Sequence, residues 1–284
     1  MKRTLAPIVF TSILFAAHYV LAGSAVTIPV GTVPKFAAVD QVTDIVYVSN
    51  LISNTVSVID GSTNTVVATI AVGTAPEAID VNVITNMVYV ANSISNNVSV
   101  IDGSTNTVTA TIPNLSSPFG LAVNPRTNQV FVSYGNESYL AVIDGATNAV
   151  LATIPVGNSP AGVCVNPATN TAYVANAGSG TVSVISGATD KVTKTFTLPP
   201  DAFPGTVTID PKTGNLFVTD APNSAVYVLS ASSGTLLNDH HERNAVRART
   251  GRCPPAGQHR SHLGLLSWNG NGCQREHLRY YWRA

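Results

Sequence analysis

The sequence predicts an all-β fold, a β-propeller of four-stranded antiparallel blades, on three observations. One phrase recurs along the chain, its central isoleucine returns every 42 residues, and within each copy β-branched residues alternate between short turn signals. The phrase runs Val56-Ser-Val-Ile-Asp-Gly-Ser-Thr-Asn-Thr-Val66 and returns over residues 98–108 and 140–150, then more loosely over 182–192 and 226–236. Ile59, Ile101, Ile143 and Ile185 are 42 residues apart, and Leu229 follows after 44. Five repeats are recognisable. The ring they form is expected to be incomplete or to contain an irregular sixth blade.

The second copy shows why four strands are expected. Residues 77–81, 87–91, 98–102 and 108–112 carry the alternating β-branched pattern, and Asn82 to Asn86 and Asp102-Gly103 supply turns between them. Small residues follow the recurring proline, which suits a first strand crowded round a central axis. Tyr47, Tyr89, Phe131, Tyr173 and Phe217 fill one column of the second strand, each followed by valine. An aromatic placed once per blade is expected to pack one blade on the next rather than to stack a ligand. Asp60, Asp102 and Asp144 precede glycine and read as Asx-type turns, not as a row of catalytic carboxylates. Nothing reads as a helix. Val26-Thr-Ile-Pro-Val-Gly31 matches a fourth strand, so it is expected to complete the last blade and remove the exposed sheet edges.

Composition bounds the rest. A chain of 284 residues, 45% apolar and 11% charged, can bury a large core. Lys2 and Arg3, an uncharged run over 5–22 and the small residues Ala22-Gly23-Ser24-Ala25 read as a secretory signal peptide over 1–25, so an exported protein is expected, periplasmic, extracellular or at the cell surface. No second run is long and apolar enough to span a membrane. Residues 26–238 hold 5 Lys+Arg against 12 Asp+Glu, a net charge of −7 with none of the clustered cations that neutralise phosphates, which excludes nucleic acid as the main partner. Residues 239–284 are different, with eight Arg, both Trp and five of the six His. They read as a basic tail outside the repeat, either disordered or the product of a shifted reading frame.

The phrases Val46-Tyr47-Val48-Ser49-Asn50, Val88-Tyr89-Val90-Ala91-Asn92 and Ala172-Tyr173-Val174-Ala175-Asn176, with Ile70-Ala-Val-Gly73 and Ile154-Pro-Val-Gly157, resemble the YVTN β-propeller repeat. The resemblance covers roughly residues 26–238. It implies an exported or surface-layer-like scaffold and carries no catalytic residue across.

Residues 26–238 contain no His, no Trp and a single Cys. That removes His-based acid–base work and His-ligated metal or haem, so no cofactor, catalytic residue or metal ligand is assigned. Cys164 stands where other blades have Ala38, Ala122 and Thr208 and reads as a small packed thiol. In repeat proteins specificity resides where copies differ, on loops of one face. The residue after the recurring proline varies as Lys35, Glu77, Phe119, Ala161 and Gly205, and the end of the second strand as Asn50, Asn92, Tyr134, Asn176 and Asp220, with Glu137 beside Tyr134. Asp80 places a carboxylate among small residues of a first strand, where burial shifts a pKa or demands a partner. Lys35, Glu77, Asp80, Phe119, Tyr134, Glu137 and Asp220 are therefore the candidate ligand-binding residues. The expected function is a non-catalytic scaffold binding a protein, glycan or small ligand around the central channel. The alternative is a lactonase-like hydrolase or lyase in which Asp80, Glu77, Asp220 and Glu137 converge on a divalent metal.

Overall fold

The computed structural model describes residues 25–238 and the backbone of two short segments, 267–268 and 273–274. The expected signal peptide and basic tail otherwise lie outside the described residues. The chain separates into two compact units, Met1–Asp239 and His240–Ala284, and the blades belong to the first.

Five four-stranded sheets follow one another, each with its strands antiparallel and in sequence order. Blade 1 comprises β1 (Pro34–Asp40), β2 (Ile45–Asn50), β3 (Thr55–Asp60) and β4 (Thr65–Ala71). Blade 2 comprises β5 (Pro76–Asn82), β6 (Met87–Asn92), β7 (Asn97–Asp102) and β8 (Thr107–Ile112). Blade 3 comprises β9 (Pro118–Asn124), β10 (Gln129–Tyr134), β11 (Tyr139–Asp144) and β12 (Ala149–Pro155). Blade 4 comprises β13 (Pro160–Asn166), β14 (Thr171–Asn176), β15 (Thr181–Ser186) and β16 (Lys191–Thr197). Blade 5 comprises β17 (Val207–Asp210), β18 (Asn215–Asp220), β19 (Ala225–Ser230) and β20 (Leu236–Asn238). The strands of blade 2 lie within one residue of the sequence reading.

The hairpins explain the recurring Asp/Asn-x-x-Thr-Asn phrase. Most are four-residue turns closed by a residue in the left-handed region, at Asp44, Asn54 and Asn64 in blade 1 and at Asn86, Asn96 and Asn106 in blade 2. Asn and Asp tolerate that conformation better than other residues bearing a side chain. At the turn's start a carboxylate or amide oxygen replaces a backbone acceptor: Asp60 Oδ1 accepts from the N–H of Ser62 at 2.8 Å and of Thr63 at 3.2 Å. These bonds, with that from the Ser62 hydroxyl, hold the Asp60 carboxyl below its ordinary range. The Ile-Asp-Gly carboxylates are turn formers, as their position before glycine predicts.

The first strands β1, β5, β9, β13 and β17 stand against one another around the axis, with the fourth strands outermost. Between blades lies the apolar core. Tyr47 packs with Ile79, Val81, Val88 and Ile101 of the next blade, and Tyr89 with Val123, Val130 and Ile143 of the one after. Tyr47, Tyr89 and Phe131 are fully buried, whereas Phe217, with no blade over it among the described residues, is 36% exposed. Val226 on the same face of blade 5, and Val39 of blade 1, are exposed for the same reason. The ring is open among the described residues.

One expectation is not met among the described residues. Val26 to Gly31 joins no sheet. The fourth place of blade 5 is taken by β20, from the blade's own sequence, which pairs with Val228 and Leu229 at the end of β19.

Candidate functional site

Each blade brings two loops to one face: the loop leading into its first strand and the turn between its second and third strands. They are tied by backbone bonds, Leu51 N–H to Val33 O at 2.9 Å, Ser93 N–H to Ala75 O at 2.9 Å, Gly135 N–H to Ser117 O at 2.9 Å and Ala177 N–H to Ser159 O at 3.0 Å. Val33, Ala75, Ser117 and Ser159 all hold positive φ, at 57°, 56°, 42° and 49°, immediately before the recurring proline. For a β-branched residue such as Val33 this backbone is strained.

The strand then bulges. In blade 2 the register passes from Pro76↔Asn92 directly to Ile79↔Val90, leaving Glu77 and Ala78 out of the ladder. The same break occurs in β1, β9 and β13. Bulges re-aim backbone and side chains locally. Here the freed carbonyls meet the preceding blade: the Ser49 hydroxyl donates to Glu77 O at 2.7 Å, and the Ser133 hydroxyl to Ala161 O at 2.7 Å. Blades therefore approach most closely beside the variable residues. At Gly120 a Cβ would collide with the Ala161 carbonyl oxygen, so only glycine fits.

Lys35 and Glu77 meet across the first junction, their charged atoms 3.6 Å apart. Burial pushes the Glu77 carboxyl above its ordinary range and Lys35 draws it part of the way back. Phe119, half-buried, lies against Gly135 in the turn that follows Tyr134. Tyr134 is itself buried, which raises its hydroxyl pKa, and Glu137 is exposed in the same turn. The predicted residues thus form two groups on neighbouring inner strands, Lys35 with Glu77, and Phe119 with Tyr134 and Glu137.

Asp220 belongs to neither. It is fully buried, and its carboxylate accepts from Phe203 N–H at 3.0 Å, Asn223 Nδ2 at 2.9 Å and the Tyr227 hydroxyl at 3.1 Å. Burial alone would raise its pKa, but these donors outweigh it and hold the carboxyl below the usual range. Asp80 sits farther along its strand at the junction of blades 2 and 3, half-buried, accepting from Val81 N–H and from Val123 N–H of the neighbouring inner strand, both at 2.8 Å. Desolvation dominates over these bonds and lifts its pKa to about 6. Among the described residues no three His, Cys, Asp or Glu side chains gather as a metal ion requires, so Asp80, Glu77, Asp220 and Glu137 do not converge.

The structure adds a coupling that a single column conceals. Asn50, Asn92 and Asn176 each donate through Nδ2 to a serine of the third strand, Ser57, Ser99 or Ser183, at 2.9–3.0 Å. Tyr134 replaces the asparagine in blade 3 and Ala141 replaces the serine; in blade 5 Asp220 and Tyr227 replace them. Reading the two columns together would have marked Tyr134 and Asp220 as paired exchanges within a blade.

A family model described as YNCE-like beta-propeller matches residues 16–232. Among curated proteins none matches the chain. Five antiparallel four-stranded sheets set side by side about an axis agree with that match, and the chain belongs to the YNCE-like β-propeller family.

Proposed function

We propose that this propeller is a non-catalytic binding scaffold, exported or held at the cell surface, whose partner docks on the face carrying the leading loops and the turns between second and third strands. One observation carries the reading. The departures from the repeat that keep solvent access, Lys35, Phe119 and Glu137, lie on this one face, where bulges and inter-blade bonds fix the backbone beneath them. Rigid elements presenting varied side chains are what recognition needs and what a repeat supplies cheaply. Tyr134 and Asp220 are buried at the ends of their second strands and Asp80 is half-buried farther along its own, so none of the three offers a free side chain to the partner. The chemistry offered, one cation paired with a half-desolvated carboxylate next to an aromatic and a free acid, suits a polar partner such as a glycan or a peptide.

The test replaces Lys35, Phe119 and Glu137 together by alanine, leaving the buried supports intact. Immobilised wild type and variant are compared for retention of defined glycans and of envelope proteins. Selective loss of a ligand by the variant is expected, and equal retention by both sinks the site. Export is checked separately, by sequencing the N-terminus of protein recovered from the envelope and medium; an uncleaved Met1 in the cytoplasm overturns it.

A further inference from the structure

We propose that a second site, a cleft between blades 4 and 5 on the face opposite the loop cluster, binds a sugar acid, a monosaccharide-sized polyol carrying a carboxylate. The cleft has a volume of about 520 Å³ and is walled by Asn166, Tyr173, Thr193, Lys194, Ile209 and Thr213 among others. Small-molecule sites fall at about 300–1,000 Å³.

Two departures from the repeat open it. At the second and third junctions an amide bridge closes this face: Asn82 Nδ2 donates to Asn128 Oδ1 at 2.6 Å, and Asn124 Nδ2 to Asn170 Oδ1 at 2.7 Å. At the fourth junction the donor is present as Asn166, but the acceptor's place is taken by Gly214. Asn166 is only 9% exposed, and its side chain's one bond among the described residues is made through Oδ1, which accepts from Ala168 N–H. Its Nδ2 is left as a donor at the cleft wall. The second change is Ala231, which stands where blades 2 and 3 have Gly103 and Gly145. A Cβ at those glycines would lie 2.6 Å from the hydroxyl of Tyr47 or Tyr89, the tyrosine of the preceding blade. Ala231 denies Tyr173 that seat, and the Tyr173 hydroxyl makes no bond to the described residues, whereas Tyr89 donates to Gly145 O at 3.3 Å.

The remaining groups define the ligand. Thr193 and Thr213 donate their hydroxyl protons to Val184 O and Asp210 Oδ2, which leaves their oxygens as acceptors for a ligand hydroxyl. Asn166 Nδ2 offers the complementary donor, and Ile209, half-buried, offers an apolar contact to the C–H face of a pyranose, with the edge of the buried Tyr173 behind it. Lys194 donates to Ser232 O and keeps its charge unpaired, since the ion pair among the described residues is that of Lys35 with Glu77. Among the described residues the lining contains no carboxylate. A cation with alternating donors and acceptors beside an apolar contact selects a polyol with an acid group over a neutral sugar or a simple carboxylate.

The experiment titrates the full chain calorimetrically with D-glucuronate, D-glucose and acetate. Glucuronate is expected to bind about tenfold or more tightly than either control. Gly214→Asn restores the bridge to Asn166. Asparagine already holds the equivalent left-handed positions at Asn86, Asn128 and Asn170, and a Cβ at Gly214 meets nothing within 4 Å. This variant is expected to fold and to lose glucuronate binding about tenfold or more, while retention at the loop face is unchanged. Lys194→Gln is expected to erase the preference of glucuronate over glucose. Absence of glucuronate binding, binding untouched by Gly214→Asn, or glucose binding as tightly as glucuronate would each overturn the proposal.

Discussion

Replacing Asp80 by alanine should change how the stability of this protein depends on pH. Blades 1 and 3 carry Ala38 and Ala122 in the same column, so the fold accommodates the small residue. In the folded chain the Asp80 pKa rises from 3.8 to about 6, because burial penalises the charged carboxylate more than two N–H donors stabilise it. The folded state therefore holds the proton more tightly than the unfolded chain. The contribution is fully present below about pH 3.8 and is lost as pH rises through about 6. A shift of about 2 units corresponds to at most about 3 kcal/mol, and because Asp80 keeps partial contact with solvent the expected loss is nearer 1–2 kcal/mol. Thermal unfolding followed by circular dichroism, at about pH 4.5 and about pH 7.5, reads this as a double difference. From the lower to the higher pH, wild type should lose about 1–2 kcal/mol relative to Asp80→Ala, a few degrees in Tm for a chain of this size. The subtraction removes the exposed turn carboxylates, which titrate alike in both proteins. Parallel Tm profiles for the two proteins would refute the assignment of a desolvated carboxylate at this junction.

Gly120→Ala should destabilise by about 1–3 kcal/mol, read from the urea midpoint, because the added Cβ meets the rigid backbone carbonyl of Ala161 and forces blades 3 and 4 apart; an unchanged midpoint refutes the close approach. Burial raises the Cys164 thiol to about 12, so in native protein at about pH 8 the peptide bearing it should resist iodoacetamide and be labelled only in denaturant, as peptide mapping would show. The aromatic column should divide by position. Tyr89→Ala, at a fully buried junction, should cost about 3–5 kcal/mol, and Phe217→Ala, on a face of blade 5 that no blade covers among the described residues, under about 2 kcal/mol; equal costs in chemical denaturation would contradict the open arrangement.

The strands were legible because their signals are local. Alternation of β-branched residues marks each strand, and the Asp/Asn-x-x-Thr-Asn phrase marks each hairpin through a side-chain acceptor at its start and a left-handed residue at its end. The aromatic column was legible because a bulky residue repeated once per blade has one place to go. The site was less so. Lys35, Phe119 and Glu137 were found by comparing blades, but the burial of Tyr134 and Asp220 depends on a second column, Ala141 and Tyr227, that packs against them across the sheet. The closing role expected of Val26 to Gly31 is not seen among the described residues, since resemblance to a fourth strand does not say which edge stands open.

Sequence alone therefore determined the repeat, its strands and turns, and which loops vary, since each rests on the period of a side-chain pattern or on the conformational preference of one residue. Tertiary structure decided which of those varied residues keep a free side chain, where a carboxylate is desolvated, and that Gly214 and Ala231 leave a cleft between two blades. These depend on what the neighbouring blade places opposite, 46 residues away in the amide bridges, and burial at such a contact is a property of the pair, which neither segment carries by itself.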